Sequence, residues 1–332
     1  MTELMVEPRV TEVTGVTEVE SQGLYEIVKR FLESLDCGGN SVKTYSRQIK
    51  EFLEWVNLSG KSNDLRTWKR QDVLEYKRYL QTDHQVKKSN GKVGQLSPSS
   101  IDGYLTIVRK FWSWLDEMGI CPNIAKSVKG MKRSQGFKKD TLTITQIKDA
   151  LSVFDLRNIE GLRNFAIFNL MVRTGCRDIE ITRAKVKHLR TLDGHQVLYI
   201  QAKGQDSADQ YKVLTSDAER PIRAYLDARK KVRAYDEDDY LFVSFSRRNY
   251  MKALTTRSIS RIIKEALREI GLDDSKLSAH SLRHTAITLA IAGGASLHQA
   301  QAMAGHKDPR TTQTYFHNQK RIEEAAEKCI NF

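Results

Sequence analysis

The chain is short of acid, of cysteine and of long apolar runs, and each shortage removes a class of explanation. Its four cysteines, Cys37, Cys121, Cys176 and Cys329, stand far apart with no paired spacing. That argues against a zinc site or a disulfide framework, so reduced thiols and no metal are expected. No stretch approaches the apolar length a membrane helix needs. The opening MTELMVEPRVTEVTGVTEVE holds several acids and no apolar core, so neither a secretory signal nor an Arg-rich transit peptide is expected and a cytoplasmic location is. Internal repeats and low-complexity tracts are missing too.

Acids are outnumbered by bases, 41 to 54, for a formal net charge of +13. A surplus of this size concentrates polyanions, nucleic acid first among them. No segment joins a basic face to a strongly apolar one, so the membrane surface ranks well below DNA as a partner. At 332 residues the chain exceeds what one hydrophobic core usually serves, which predicts two domains.

Periodicity divides the chain. Residues 1–20 show no helical pattern and read as a disordered tail. Leu24, Ile27, Val28, Phe31, Leu32 and Leu35 predict a first helix, ended by Gly38 and Gly39. Asn40 or Ser41 can cap a second, with Val42, Tyr45, Ile49, Phe52, Leu53 and Val56 inward. A third starts near Asp72, a polar loop runs from Thr82 to Gln95, and Ser97-Pro98 opens a fourth carrying Ile101, Tyr104, Leu105, Val108, Phe111, Trp112 and Leu115. Residues 21–121 thus predict a small helical domain. Residues 122–140 read as a basic linker with almost no apolar support. Its Lys126, Lys129, Lys132, Arg133, Lys138 and Lys139 suit either a phosphate backbone or plain solvent.

Residues 141–332 mix types. Thr145 can cap a helix carrying Ile147 and Leu151. Phe165, Phe168, Met171 and Val172 mark another that stops at Gly175. Val197–Ile200 and Tyr211–Leu214, separated by AKGQDSADQ, predict a β-hairpin. Ile259, Ile262, Ile263, Ala266, Leu267 and Ile270 give a clean helix, and KRIEEAAEKCINF a terminal one. The predicted fold class is mainly α with a small β-sheet (α+β).

Polar residues at element ends carry the chemistry: Arg177 in TGCRDIEI, Lys203 in the hairpin turn, His280 and Arg283 in AHSLRHT, His306 after Gly305, and Tyr315 after Asp308-Pro309. Breaking a phosphodiester without metal requires an in-line nucleophile, charge on the non-bridging oxygens balanced, and a proton for the leaving 5′-oxygen. Two guanidinium forks, Arg177 and Arg283, suit the oxygens. A histidine can accept the phenol proton, a lysine can donate one to the leaving oxygen, and a tyrosine ester keeps the bond energy for religation. Taken singly, Arg177 is a favourable partner for a helix C-terminus, and Tyr315 is an amphipathic-helix residue. His280 and His284 at i, i+4 lack the glutamate and third ligand of a zinc site. Lys203 alone is a commonplace Lys-Gly turn.

Jointly and in this order, TGCRDIEI, AHSLRHT and AGHKDPRTTQTY resemble the tyrosine recombinases, the phage integrase and Xer-like family. The resemblance covers the second half of the chain, while the first half is similar to that family's helical core-binding (SAM-like) domain only in pattern. It implies six catalytic residues, Arg177, Lys203, His280, Arg283, His306 and Tyr315, with Glu180 supporting the first arginine. It also implies a 3′-phosphotyrosyl intermediate, a Holliday junction and a homo-tetramer on two synapsed DNA sites, with no cofactor and an accessory factor possible. Cys176 stands where the family more often has an aliphatic residue and is expected to pack behind Arg177. Two rivals stay open: a type IB topoisomerase-like enzyme, which would relax arbitrary supercoiled DNA as a monomer, and a non-catalytic DNA-binding protein of the same fold.

Overall fold

The computed structural model describes residues 16–87, 91, 93–132, 141–202, 204–274, 277–323 and 325–330. Two compact units divide the chain, Met1–Gln135 and Gly136–Phe332.

The first unit is helical. It comprises α1 (Val16–Glu33), α2 (Gly39–Leu58), α3 (Arg70–Thr82), a hairpin of β1 (Gln85–Lys87) and β2 (Val93–Gln95), and α4 (Pro98–Glu117). Ser97 starts α4 by accepting from the Ser100 amide (3.2 Å), and Pro98 occupies the first turn, where its missing N–H is harmless. One face of each helix meets in an aromatic core built on Phe31, Phe52, Trp55, Tyr76, Phe111 and Trp112.

Three expectations are corrected here. α1 begins at Val16, inside the stretch read as a tail, because extending an existing helix costs far less than nucleating one. The segment 82–95 is a hairpin rather than a loop, in register Gln85↔Gln95 and Lys87↔Val93; the Asn90-Gly91 pair is its sequence signal, and Gly91 has φ +78°. The first part of the basic linker belongs to this unit: Ala125 and Val128 are buried in its core. The Lys129 carbonyl accepts from Lys77 (2.8 Å) and the Val128 carbonyl from Arg109 (2.9 Å). Two apolar side chains in an irregular stretch have no period to betray them. Lys126, Lys129 and Lys132 are exposed, whereas Arg133, Lys138 and Lys139 lie outside the described residues.

The second unit opens with α5 (Ile144–Ser152), α6 (Ile159–Thr174) and α7 (Asp178–Arg183). The antiparallel sheet β3 (Leu189–Leu192), β4 (His195–Ile200), β5 (Gln210–Val213) follows, then α8 (Ser216–Val232), α9 (Thr256–Glu269), α10 (Ala279–Ala292), α11 (Leu297–Ala304) and α12 (Pro309–Glu323). α6 is buried all round from Ala166 to Val172, where it runs through the core against α8 and α10. α5 is capped by Thr143, not Thr145, in a reciprocal pair with Gln146. The sheet has a third strand, β3, joined to β4 by an Asp193-Gly194 turn with both residues at positive φ. The helix bearing Tyr315, α12, continues to Glu323, and a 3-10 turn at Ala326–Cys329 follows where KRIEEAAEKCINF predicts a separate terminal helix. Among the described residues no helix is long and apolar enough to cross a membrane.

Candidate functional site

Gly175 ends α6 in the left-handed conformation (φ 65°), and its ideal Cβ would meet Ala286, Met303 and Arg283 atoms at 3.6–3.9 Å. The chain then turns through the fully buried Cys176 into Arg177, the residue that precedes α7. Glu180, wholly buried on α7, accepts from both the Arg177 amide (2.9 Å) and its Nη1 (2.7 Å). One carboxylate therefore fixes the backbone and the guanidinium together, and the guanidinium compensates a charge that would otherwise be costly to bury. A quarter of the Arg177 side chain remains exposed (26%), enough to meet a ligand.

Arg283, on α10, is 2% exposed. Its Nη1 donates to the Gly175 carbonyl (2.6 Å) and its Nη2 to the Ala304 carbonyl at the end of α11. Burial and the neighbouring Arg177 charge push it down to about 10, so it is still a cation at neutral pH. α11 closes on Gly305 in the left-handed conformation (φ 60°), which aims the next residue, His306, back toward the arginines. The Gly305 carbonyl accepts from Arg177 Nη2 (3.4 Å).

His306 Nδ1 hydrogen bonds the buried Thr312 hydroxyl (2.9 Å), a group that can serve either tautomer. Burial, then the charges of Arg283, Arg177 and Lys212, bring His306 down to about 4, so the ring is neutral at physiological pH. Tyr315 is 6% exposed among Ile287, Ile291, Ala300 and Ala304. Its ring stacks near His306 (6.2 Å between centroids, 23°) and His284 (5.3 Å, 29°), and its hydroxyl is hydrogen bonded to His284 Nδ1. Burial pushes the phenol up to about 12, partly opposed by Arg283.

The second unit thus brings Arg177, Glu180, Arg283, His306 and Tyr315 together from four separate segments. His280 joins through His284, whose ring it meets edge-on at 4.6 Å, and no third His, Cys, Asp or Glu completes a metal-binding group with them among the described residues. Lys203 lies outside the described residues. The flanking loop places Ala202 near Arg183, whose Nη1 donates to the Ala202 carbonyl (3.5 Å).

Two members were given no catalytic role from the sequence. His284, whose place one turn after His280 suits a packing or supporting group, contacts the phenol oxygen directly. Lys212, on β5, is 3% exposed with its amine on the Met303 carbonyl. Strand alternation carried a signal for it, because Lys212 shares the inward side with the buried Leu214. A further basic feature is the outer side of α9, where Arg257, Arg261, Lys264 and Arg268 line one groove.

One buried guanidinium and one a quarter exposed, beside a held phenol, make an arrangement chemically suited to a phosphoester. The sequence model of the phage integrase family matches residues 140–321, more than half of the chain. The chain belongs to the phage integrase family, the tyrosine recombinases. It is similar to the tyrosine recombinase XerD of Listeria monocytogenes serovar 1/2a, with 26% identity over 301 residues, 88% of this chain and 94% of that protein. Among solved structures, XerH site-specific recombinase bound to palindromic difH substrate, a post-cleavage complex, superposes with TM-score 0.69 at 21% identity, covering 96% of this chain and 90% of that one. The Tn1549 transposon integrase in complex with transposon right end DNA gives TM-score 0.67 at 16% identity over 90% of this chain and 97% of that one. Both structural likenesses concern the fold.

Proposed function

We propose that this chain is a site-specific DNA recombinase that cuts and rejoins duplex DNA through a 3′-phosphotyrosyl bond at Tyr315. The observation that carries the reading is the convergence of Arg177 and Arg283 on adjacent carbonyls at the end of α11, in the same site as the hydrogen-bonded Tyr315 hydroxyl. The two guanidinium groups would take the non-bridging oxygens of the scissile phosphate. In the cleavage step the Tyr315 oxygen bonds to phosphorus and the bond from phosphorus to the 5′-oxygen breaks. The phenol proton passes to a neutral imidazole, His306, which burial and the neighbouring cations keep unprotonated before the step. The 5′-oxygen takes a proton from Lys203. Religation reverses these transfers, so no metal, nucleotide or other cofactor is used.

The first unit is assigned as a core-binding DNA clamp, with Lys126, Lys129 and Lys132 along the backbone and Arg133, Lys138 and Lys139 continuing the basic run. Residues 141–332 form the catalytic domain. The working assembly is a homo-tetramer on two synapsed sites with a Holliday junction intermediate, located with the nucleoid and open to an accessory factor. The relatives support this reading over a topoisomerase.

The test begins from a pool of nicked duplexes randomised over their central base pairs. Incubation with the protein, denaturation in detergent and recovery of protein-linked DNA should enrich one sequence motif. Capture of arbitrary sequence together with unselective relaxation of supercoiled plasmid would favour the topoisomerase instead. The captured motif then serves as a defined nicked probe for kinetics.

On that probe His284→Phe should slow adduct formation about tenfold, because one hydrogen bond orienting the nucleophile, worth about 1.4 kcal/mol, is gone. His284→Asn, which can still bond the hydroxyl, should retain most of the rate. Single-turnover kinetics at saturating protein measure both. Equal rates for His284→Phe and the unsubstituted protein would reduce His284 to packing.

A further inference from the structure

The last carbonyls of a helix have no partner within it and carry its negative end. At the end of α11 three consecutive ones, Met303, Ala304 and Gly305, each accept from a cation rooted in a different segment. Lys212 comes from β5, Arg283 from α10, and Arg177 from the turn before α7. His306 follows at once, and its backbone is tied back to α11 through Gln301, whose side chain donates to the His306 carbonyl (3.1 Å). The position of His306 therefore depends on how this helix end is held.

Two of the three cations have other work. On the reading proposed above, Arg177 and Arg283 turn N–H groups toward phosphate oxygens when DNA binds, which weakens their grip on Gly305 and Ala304. Lys212 is given no phosphate to bind on that reading, so its buried amine can stay on the Met303 carbonyl throughout. We infer that Lys212 is a positioning residue, holding the end of α11 through Met303 so that His306 keeps its place while the arginines engage phosphate. The inference rests on the recombinase reading of this site.

Burial lowers the Lys212 amine from its ordinary value, while the nearby Glu180 and Cys176 oppose that fall. A buried ammonium satisfied by a neutral carbonyl is an expensive way to fill a core position that a leucine or methionine could occupy. Its presence is better explained by a task that needs a donor at that point. A lysine in this site could instead be a proton donor to the leaving oxygen, and the experiment must separate the two roles.

The experiment uses the full chain and the captured nicked duplex, in two forms: one with the natural 5′-oxygen at the scissile phosphate, one with a bridging 5′-sulfur, whose thiolate leaves without needing a proton. Lys212→Met should slow adduct formation about a hundredfold on both forms, the penalty expected when a reacting group shifts by roughly 1 Å. DNA affinity should stay within about twofold, since phosphate binding rests on the arginines. Lys212→Arg, which keeps a charged donor, should recover most of the loss. Should the methionine variant fail to fold, judged by thermal unfolding and near-ultraviolet circular dichroism, Lys212→Gln replaces it with the same expectation. An unchanged rate for the folded variant overturns the inference, and so does restoration of the rate by the sulfur substrate alone, which would make Lys212 an acid. Failure of the unsubstituted protein to capture any DNA would strike the recombinase reading itself and is seen before any variant is made.

Discussion

Tyr315→Phe should yield no detergent-stable protein–DNA adduct on the captured duplex, at any incubation time, while binding that duplex with nearly unchanged affinity. The substitution removes one atom. The ring stays in the apolar cluster of Ile287, Ile291, Ala300 and Ala304, so the fold has no cavity to absorb. What is lost is the only proposed nucleophile and its bond to His284, a change of about 1 kcal/mol in stability. A second signature comes from titration. Burial raises the phenol above its unfolded value of about 10 to about 12. Stability from the buried neutral phenol is then fully present below pH 10 and lost as pH rises toward 12. Relative to Tyr315→Phe, the unsubstituted protein should lose stability across that window, as chemical unfolding at stepped pH can show. Persistence of the adduct in the phenylalanine variant would transfer the nucleophile elsewhere.

How much of this was readable beforehand depended on whether a feature was local. The amphipathic helices α4 and α9 were legible because their apolar residues repeat at helical spacing and Ser97-Pro98 marks a start. The motif residues Arg177, His280, Arg283, His306 and Tyr315 could be named because TGCRDIEI, AHSLRHT and AGHKDPRTTQTY stand in the family's order; Arg177 and His306 do lie at element ends, whereas Arg283 and Tyr315 lie inside α10 and α12. What stayed hidden was tertiary. The hydrogen bond from Tyr315 to His284 spans 31 residues and follows from how α12 crosses α10, which no window of sequence contains. Burial of Ala125 and Val128 was invisible for want of a period. The β1–β2 hairpin carried an Asn-Gly pair in its sequence, and its short strands among polar residues let the loop reading win, while the Asp193-Gly194 turn before β4 went unread. Lys212 shows the commonest cause of a miss: a charged residue in a strand is assumed to face water, although alternation put this one inward.

Arg283→Lys is the other substitution expected to have a large effect, and it should split into two measurable losses. The guanidinium bridges Gly175, at the end of α6, and Ala304, at the end of α11. It therefore holds together the two turns that deliver Arg177 and His306. A lysine amine has one nitrogen and cannot reach both carbonyls in the same geometry, so at least one buried acceptor is left without this partner, at about 1–3 kcal/mol in unfolding free energy. The rate should suffer separately. A point charge replaces a planar fork on the phosphate oxygens, and loss of one such donor from a transition state costs about a hundredfold to a thousandfold. Arg177→Lys offers the contrast: its side chain is partly exposed and held mainly by Glu180, so a comparable fall in rate should come with a smaller loss of stability. Urea unfolding and single-turnover adduct formation on the same preparations give both numbers. If Arg283→Lys unfolds at the same urea concentration as the unsubstituted protein, the guanidinium does not bridge the two turns, and the convergence on which the site depends must be held by something else.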